Sequence, residues 1–216
     1  MLENFFGKCM SKLTNHLFIK EVKGIENLPE SRYILASNHA SYIDIPVIET
    51  ILLEYRNKWA RFIARKDLMN DTYFRIATFL MEKEDNRVIR VDRNKGLEQE
   101  SFQEVYRALG IGHIIAIFPE GGRSRDGKIR QGKTGMVRIA LKSQVPIVPV
   151  GIHGTFDLMP KGSIMPKFKK NIVVNIGKPV YFGNYYKREI KKQILRKLTD
   201  KIMIEIAKLS DQRYRP

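Results

Sequence analysis

Short apolar segments bounded by turn-forming residues recur along the chain and predict the strands of a sheet. The first, Tyr33 to Ala36, follows the turn-like segment Asn27-Leu28-Pro29-Glu30. Apolar runs of this length are typical of strands that are buried on both faces. Similar segments occur at residues 60–64, 88–91, 114–118, 147–152 and 172–176.

Helical patterns lie between most of these strands, at residues 45–55, 68–81, 97–109 and 136–142. Alternating strands and helices predict an α/β fold, here a central mixed, mostly parallel β-sheet flanked by helices. The chain contains no internal repeat or linker, so we expect residues 1–216 to form a single domain, with its core at residues 33–180.

Both ends of the chain carry amphipathic helical patterns. The first lies within residues 1–20, and two interpretations are open: the helix packs on the core, or its apolar side chains enter a bilayer interface. In the second, at residues 188–210, isoleucine or leucine recurs every fourth residue opposite a Lys- and Arg-rich face. That pattern favours a core-packed helix with a solvated face. The apolar positions of the first helix are Leu2, Phe5, Phe6, Cys9, Met10, Leu13 and Leu17.

The charge of the chain indicates an anionic partner. There are 39 Lys and Arg against 23 Asp and Glu, a formal net charge of +16. The excess is concentrated from Lys161 to Pro216, where 15 Lys or Arg stand against 4 Asp or Glu. Anionic lipid, phosphorylated metabolites and nucleic acid all suit such a charge. We expect no nucleic acid, because the basic residues are not interleaved with aromatic residues as in a recognisable binding module.

The single cysteine, Cys9, excludes an intrachain disulfide and a zinc site built on cysteine pairs, which fits a reducing compartment. No apolar run approaches the roughly 20 residues that span a bilayer. The N-terminus also lacks the pattern of a secretion signal. We therefore expect a protein that neither spans a membrane nor is exported.

His39 and Asp44 form the first candidate pair for chemistry. His39 follows the strand at 33–36, at the end of the strand where open α/β sheets bind their ligands. Five residues of regular helix turn by about 500°, so the two side chains can meet only if His39 lies in a loop. A carboxylate that accepts the Nδ1 proton leaves Nε2 to take a proton from a hydroxyl. Alternatively, Asp44 caps a helix, or closes a capping box with Ser41, and His39 has no chemical role.

The second candidate segment is the loop Pro119-Glu120-Gly121-Gly122-Arg123-Ser124, which follows the strand at 114–118. Glycines let backbone N–H groups approach a phosphate, and the guanidinium of Arg123 matches its oxygens. A plain strand-to-loop turn is the alternative. The region is strongly basic in either case, since Arg125, Lys128, Arg130 and Lys133 follow.

Two further segments carry weaker signals. Val88 to Arg93 is a strand that ends in basic residues. Val145-Pro146-Ile147-Val148-Pro149-Val150 is a strand with two prolines. Because proline cannot donate a hydrogen bond to a ladder, this second segment predicts an edge strand or a wall facing the substrate.

In chain order these four segments resemble the lysophosphatidic acid acyltransferase family, the bacterial enzymes that form phosphatidic acid within the glycerolipid acyltransferase superfamily. The family pattern is Asn-His-x4-Asp, a strand ending in Arg, Phe-Pro-Glu-Gly-Thr-Arg-Ser, and Val-Pro-Ile-x-Pro-Val. The matching segments span Asn38 to Val150, about half of the chain. Two positions depart from the pattern: Gly122 replaces the usual Thr, and Arg65 replaces the first Lys of a Lys-Lys-Glu-Leu block, keeping charge but not shape.

The resemblance implies an O-acyltransferase in which His39 is the general base and Asp44 orients it, with no covalent acyl-enzyme. The acceptor would be 1-acylglycerol-3-phosphate, and acyl-CoA or acyl-carrier protein the co-substrate, with no cofactor and no metal. The implied location is peripheral, on the cytoplasmic face of an anionic membrane that helix 1–20 contacts. The predicted substrate-binding residues are Arg65, Lys66, Arg93, Glu120, Gly121, Arg123, Ser124 and Lys133.

Other functions remain open at this point. Within the superfamily, the acceptor of this protein could instead be glycerol-3-phosphate or a lyso-ornithine lipid. His39 and Asp44 are also possible ligands of a metal-dependent hydrolase, although the histidines are widely spaced and no pair has the His-x3-His spacing of a helical metal site.

Overall fold

A computed structural model describes residues 2–65, 87–91, 100–163, 165–186 and 188–216. The predicted helix at 68–81 lies outside these residues. The helices are α1 (Leu2–Phe18), α2 (Asp44–Arg56), α3 (Glu100–Gly110), α4 (Gly135–Ser143), α5 (Thr155–Leu158) and α6 (Lys192–Leu209). The strands are β1 (Ile19–Lys23), β2 (Ile34–Ser37), β3 (Ala60–Arg65), β4 (Val88–Val91), β5 (Ile114–Ile117), β6 (Ile147–His153) and β7 (Ile172–Ile176).

The strands form one seven-stranded sheet in the order β1-β7-β6-β2-β5-β3-β4. The pairs from β6 across to β4 are parallel, β7 is antiparallel to β6, and β1 is parallel to β7. The prediction of a mixed, mostly parallel α/β sheet is therefore confirmed. β1 was not predicted: its sequence, Ile-Lys-Glu-Val-Lys, follows α1 without a turn signal and is largely exposed, as an edge strand can be.

Helices cover both faces of the sheet. On one face α3, α4 and α6 pack against alternate strand residues such as Ile34, Ile115 and Ile147. On the other face α2 packs against the residues between them, such as Leu35 and Ala116. This double burial explains why the strands are continuously apolar.

Of the two alternatives for Val145–Val150, the edge strand is wrong, because β6 lies inside the sheet, between β2 and β7. The wall facing the substrate stays a prediction. The two prolines lie at positions where the sheet needs no N–H donor. Pro146 precedes the strand, and Pro149 faces the segment between the end of β7 and an isolated bridge at Val180. The β7 ladder is interrupted there, and Pro149 contributes only its carbonyl oxygen, which accepts from the Gly177 N–H at 2.8 Å. No N–H is needed from residue 149.

Helix α1 packs on α2 through its polar side. Ser11 and Thr14 are each 6% exposed, whereas Met10 and Leu13 are 45% and 48% exposed. The Ser11 hydroxyl and the Asn15 amide donate hydrogen bonds to the Glu54 carboxylate of α2, at 3.3 and 2.6 Å. The amphipathic helix is thus present, but it turns part of its apolar stripe outward. Within the described residues no helix is long and apolar enough to cross a bilayer.

The C-terminal helix, α6, begins at Lys192 rather than at Arg188 and packs its apolar face on the sheet, as its spacing predicts. Its exposed lysines lie on the face of the molecule opposite to α1 and α2, because α6 belongs to the other helical layer.

Candidate active site

Two loops meet at one edge of the sheet. The first, residues 38–43, follows β2, and the second, residues 118–124, follows β5. β2 and β5 are neighbouring parallel strands, with Ala36 paired to Ile117, so both loops leave the same edge. The first loop leads to α2 on one face of the sheet, and the second leads to α4 on the other. Such a switch point opens the crevice in which α/β sheets bind ligands.

His39 and Asp44 are in direct contact in this crevice. His39 Nδ1 lies 2.8 Å from Asp44 Oδ2, and the two residues are 9% and 0% exposed. The same carboxylate oxygen accepts the backbone N–H groups of Ala40 and Ser41, each at 2.8 Å. Asp44 therefore reaches back to Ser41 as a capping box would and also braces His39, so the two interpretations of Asp44 are compatible. His39 lies in the loop, which this contact requires.

The His39 ring is also held by stacking on Phe118, with ring centroids 3.9 Å apart and planes inclined by 13°. Two polar side chains of the first loop bind it to neighbouring backbone. Asn38 exchanges two hydrogen bonds with the backbone of Ile152 in β6, each 2.8 Å long. Ser41 Oγ donates to the carbonyl oxygen of Met159, again at 2.8 Å. Sequence reasoning assigned no role to Phe118 and considered Ser41 only for a capping box, because only the fold brings Phe118 and Met159 to this loop.

Glu120 is buried, with 6% exposure, and its carboxylate is used inside the protein. Oε1 accepts the backbone N–H of His39 at 2.9 Å, and Oε2 accepts the backbone N–H of Arg130 at 3.1 Å. Burial raises the pKa of this carboxyl to about 7, while those two N–H groups and the Arg130 guanidinium act in the opposite direction. These contacts tie the second loop to the first. The predicted contact of Glu120 with substrate phosphate stays a prediction.

Ser124 and Gly121 shape the second loop. Ser124 is 1% exposed, its N–H donates to the carbonyl oxygen of His39 at 2.7 Å, and its hydroxyl lies within hydrogen-bond distance of Asp126 and of the Lys128 carbonyl. Gly121 adopts a left-handed φ of 73°, which glycine enters without strain, and closes a turn onto the Phe118 carbonyl. The observed hydrogen bonds of Ser124 are thus with the protein itself.

Arg123 lies at the rim of the crevice. Its guanidinium carbon is 3.4 Å above the centroid of the Tyr42 ring, in the first loop. A guanidinium on an aromatic face keeps its N–H groups at the edge, where they can meet an anion. Tyr42 is another residue to which the sequence analysis assigned no role.

The other predicted substrate-binding residues are less closely defined. The Lys133 side chain is exposed, and its backbone N–H donates to the Pro119 carbonyl, which holds the segment before α4 against the start of the second loop. Arg65 is the last residue of β3, at the same sheet edge, and nothing is described of its side chain. Lys66 and Arg93 lie outside the described residues. In the described part of the chain, no three His, Cys, Asp or Glu side chains cluster as metal ligands would.

Comparison with known proteins agrees with this geometry. A family model described as Acyltransferase matches residues 20–153, a range that includes both loops, and the chain belongs to this acyltransferase family.

Individual relatives of the chain are named as 1-acyl-sn-glycerol-3-phosphate acyltransferases. The chain is 29% identical over 182 residues to the chloroplastic 1-acyl-sn-glycerol-3-phosphate acyltransferase BAT2 of Brassica napus, covering 82% of this chain and 50% of the relative. It is 31% identical over 163 residues to the 1-acyl-sn-glycerol-3-phosphate acyltransferase of Borreliella burgdorferi, covering 74% and 58%. The chain thus spans about half the length of these curated relatives.

A solved structure has the same fold. The crystal structure of the 1-acyl-sn-glycerophosphate (LPA) acyltransferase PlsC from Thermotoga maritima superposes with a TM-score of 0.70 at 25% identity. The match covers 99% of this chain and 83% of that one. The similarity therefore includes the sheet, both helical layers and the two loops of the site.

Proposed function

We propose that the protein transfers a fatty acyl group from acyl-CoA or acyl-carrier protein to the free hydroxyl of 1-acylglycerol-3-phosphate, forming phosphatidic acid. The observation that carries this proposal is the 2.8 Å contact between His39 and Asp44 at the switch point of the sheet. The relatives named as 1-acylglycerol-3-phosphate acyltransferases support the choice of acceptor.

The chemistry follows from the position of the imidazole. Asp44 holds the proton at Nδ1, so Nε2 accepts the proton of the acceptor hydroxyl as its oxygen attacks the thioester carbonyl carbon. The buried carboxylate of Asp44 stabilises the imidazolium that forms. When the tetrahedral intermediate collapses, the carbon–sulfur bond breaks and the imidazolium returns the proton to the departing thiolate. No acyl-enzyme, metal or cofactor enters this sequence.

We assign binding of the acceptor phosphate to the basic side chains at the entrance of the crevice. The guanidinium of Arg123 lies on the ring of Tyr42, and Tyr42 belongs to the same loop as His39. This position suits a phosphate that is held a few atoms from the reacting hydroxyl. Arg65, the last residue of β3, would add positive charge at the same sheet edge. The contributions of Lys66, Arg93 and Lys133 to substrate binding stay predictions.

The protein is proposed to work at the cytoplasmic face of a membrane as a peripheral protein. Met10 and Leu13 on α1 are about half exposed, although they lie on the apolar side of an amphipathic helix. Apolar side chains on such a helix enter the bilayer interface, and a net charge of +16 favours an anionic surface.

The test is an assay of purified protein with 1-acylglycerol-3-phosphate, glycerol-3-phosphate and a lyso-ornithine lipid, each offered with acyl-CoA and with acyl-carrier protein as donor. We expect transfer to 1-acylglycerol-3-phosphate that survives a metal chelator. His39→Ala should lower kcat by at least about 1,000-fold. His113→Asn is the control, because His113 precedes β5 at the opposite edge of the sheet. Substantial activity of a folded His39→Ala protein would remove His39 as the base.

A further inference from the structure

The loop between α5 and β7 carries an unusual combination of exposed apolar and basic side chains. We call its described residues, 160–163 and 165–170, the 160–170 loop. Met165 and Phe168 are 69% and 70% exposed. The four lysines of the loop, Lys161, Lys167, Lys169 and Lys170, are all exposed. The sequence contains no Asp or Glu from Leu158 to Arg188.

The fold holds these side chains outward. Lys167 N–H donates to the Leu158 carbonyl at 2.9 Å, and Ser163 N–H donates to that of Pro160 at 3.0 Å, so the loop is closed at its base. Leu158 and Met159, directly before the loop, are buried in the core. The loop is therefore anchored, and the exposure of its apolar side chains belongs to the folded state.

The loop contacts the C-terminal end of α1. The rings of Phe168 and Phe18 are stacked, with centroids 6.0 Å apart and an interplanar angle of 17°. Phe18 ends α1, the helix that exposes Met10 and Leu13. The loop thus forms a surface of apolar and basic side chains that adjoins the end of α1.

This surface is connected to the active site. The carbonyl of Met159, the residue before the loop, accepts the Ser41 hydroxyl at 2.8 Å and so supports the segment that carries His39. A flat partner seated on the loop would lie next to the entrance of the crevice.

We propose that the 160–170 loop inserts into the interface of an anionic lipid bilayer and, together with α1, docks the active site on the membrane. This inference rests on the proposed function for its purpose, the delivery of a lipid acceptor. The chemistry fits a bilayer: lysines contact anionic head groups while methionine and phenylalanine enter the boundary between head groups and acyl chains. An acidic protein such as acyl-carrier protein is the competing occupant, and the experiment separates the two.

Sedimentation of the full chain with vesicles of phosphatidylcholine and phosphatidylglycerol tests the proposal. The double substitution M165S/F168S should weaken partitioning by at least roughly tenfold, since both side chains lose apolar contact with lipid. K169Q/K170Q should weaken it by a similar factor and reduce its salt dependence.

Matched controls lie elsewhere on the surface. Ile111→Ser changes an apolar residue that is also 70% exposed, between α3 and the start of β5 at the opposite edge of the sheet. K197Q/K201Q removes two exposed lysines of α6, in the opposite helical layer. Both controls should bind vesicles within about twofold of wild type.

Two readouts complete the design. A fluorophore attached at F168C in a C9S background should shift its emission to shorter wavelength on vesicles. M165S/F168S should lose more activity on a vesicle-borne acceptor than on a short-chain monomeric one. Unchanged vesicle binding by a folded M165S/F168S protein overturns the proposal. If the same substitution weakens only the binding of acyl-carrier protein, the loop is a docking site for that protein instead. Vesicle binding without any acyl transfer by wild type would instead refute the proposed function.

Discussion

At the scale of single residues, the imidazole of His39 is constrained from three directions. Asp44 holds Nδ1, the Phe118 ring stacks on its face, and the Glu120 carboxylate holds the backbone N–H of His39 itself. Preorganisation of this kind matters because a general base must already lie within hydrogen-bond reach of the hydroxyl it deprotonates. In the proposed mechanism Glu120 is thus a positioning residue.

Glu120→Gln is expected to change how folding stability depends on pH. The folded-state pKa of Glu120 is about 7, above the ordinary 4.5, so the folded protein binds this proton more tightly than the unfolded chain does. The stabilisation that this proton binding adds to the free energy of unfolding is complete below about pH 4.5 and is lost as the pH rises through 7. The loss is roughly 3 kcal/mol, at about 1.4 kcal/mol per pKa unit.

Urea unfolding of both proteins at about pH 5 and about pH 8 measures this effect. Because glutamine does not titrate, the cost of the substitution in unfolding free energy should be larger at the lower pH by about 2 to 3 kcal/mol. Equal costs at the two pH values would contradict the prediction.

Tyr42→Leu should raise the KM for 1-acylglycerol-3-phosphate by about 3- to 30-fold with little change in kcat, because the guanidinium of Arg123 loses its aromatic support. Tyr42→Phe keeps the ring and is the control. Arg123→Ala should raise KM further, since it removes the charge itself. Steady-state kinetics at varied acceptor concentration measures all three, and an unchanged KM in Arg123→Ala would remove Arg123 from the phosphate site.

At the scale of elements, α1 shows that packing decides which face of an amphipathic helix turns towards the protein, a choice that the sequence leaves open. Ser11 and Asn15 bond Glu54 of α2, so a polar side of the helix faces the protein. The apolar spacing correctly predicts a helix, but periodicity alone does not state which side faces inward. Neighbouring elements decide this, and here the neighbour presents a carboxylate.

The contact between β6 and the end of α6 depends on a glycine. A Cβ atom on Gly151 would overlap the backbone of Leu209 and Ser210. Gly151→Ala should therefore destabilise the protein by about 2 kcal/mol or more, because backbone must move to admit the methyl group. Gly110→Ala, where a Cβ meets nothing within 4 Å, is the control and should cost far less. Thermal and urea unfolding measure both, and a neutral Gly151→Ala would show that α6 is free to shift.

At the scale of the whole molecule, the positive charge is divided between two faces. The 160–170 loop contacts the end of α1, whereas the lysines of α6 lie in the opposite helical layer. The count of charges along the chain predicts an anionic partner, but it does not separate these two groups. A membrane that contacts one face would use only part of the net charge of +16.

Binding to anionic vesicles should accordingly weaken with salt, by at least roughly tenfold between about 0.05 and 0.5 M NaCl, because screening shortens the range of the lysine charges. Vesicle sedimentation across this range measures the effect. Binding to phosphatidylcholine alone should be weak and nearly independent of salt. Strong binding that salt does not alter would assign membrane affinity to apolar insertion alone.

Much of the fold could be predicted because short apolar runs have a direct physical cause. Strands such as Ile114–Ile117 are covered on both faces, so every position must be apolar, and the run is visible in one dimension. β1 was missed because it is a largely exposed edge strand. The location of β6 was misjudged because the gap beside Pro149 is made by a segment about thirty residues away along the chain.

The sequence by itself determined what is local: the buried strands, the amphipathic helices, the excess of positive charge and the motif in which Asp44 follows His39 by five residues. The tertiary structure alone decided what surrounds that pair. Glu120 and Ile152 lie 81 and 114 residues along the chain from the residues they hold, His39 and Asn38. Such contacts exist only once parallel strands bring their carboxyl ends to one edge, and no local pattern of residues encodes that meeting.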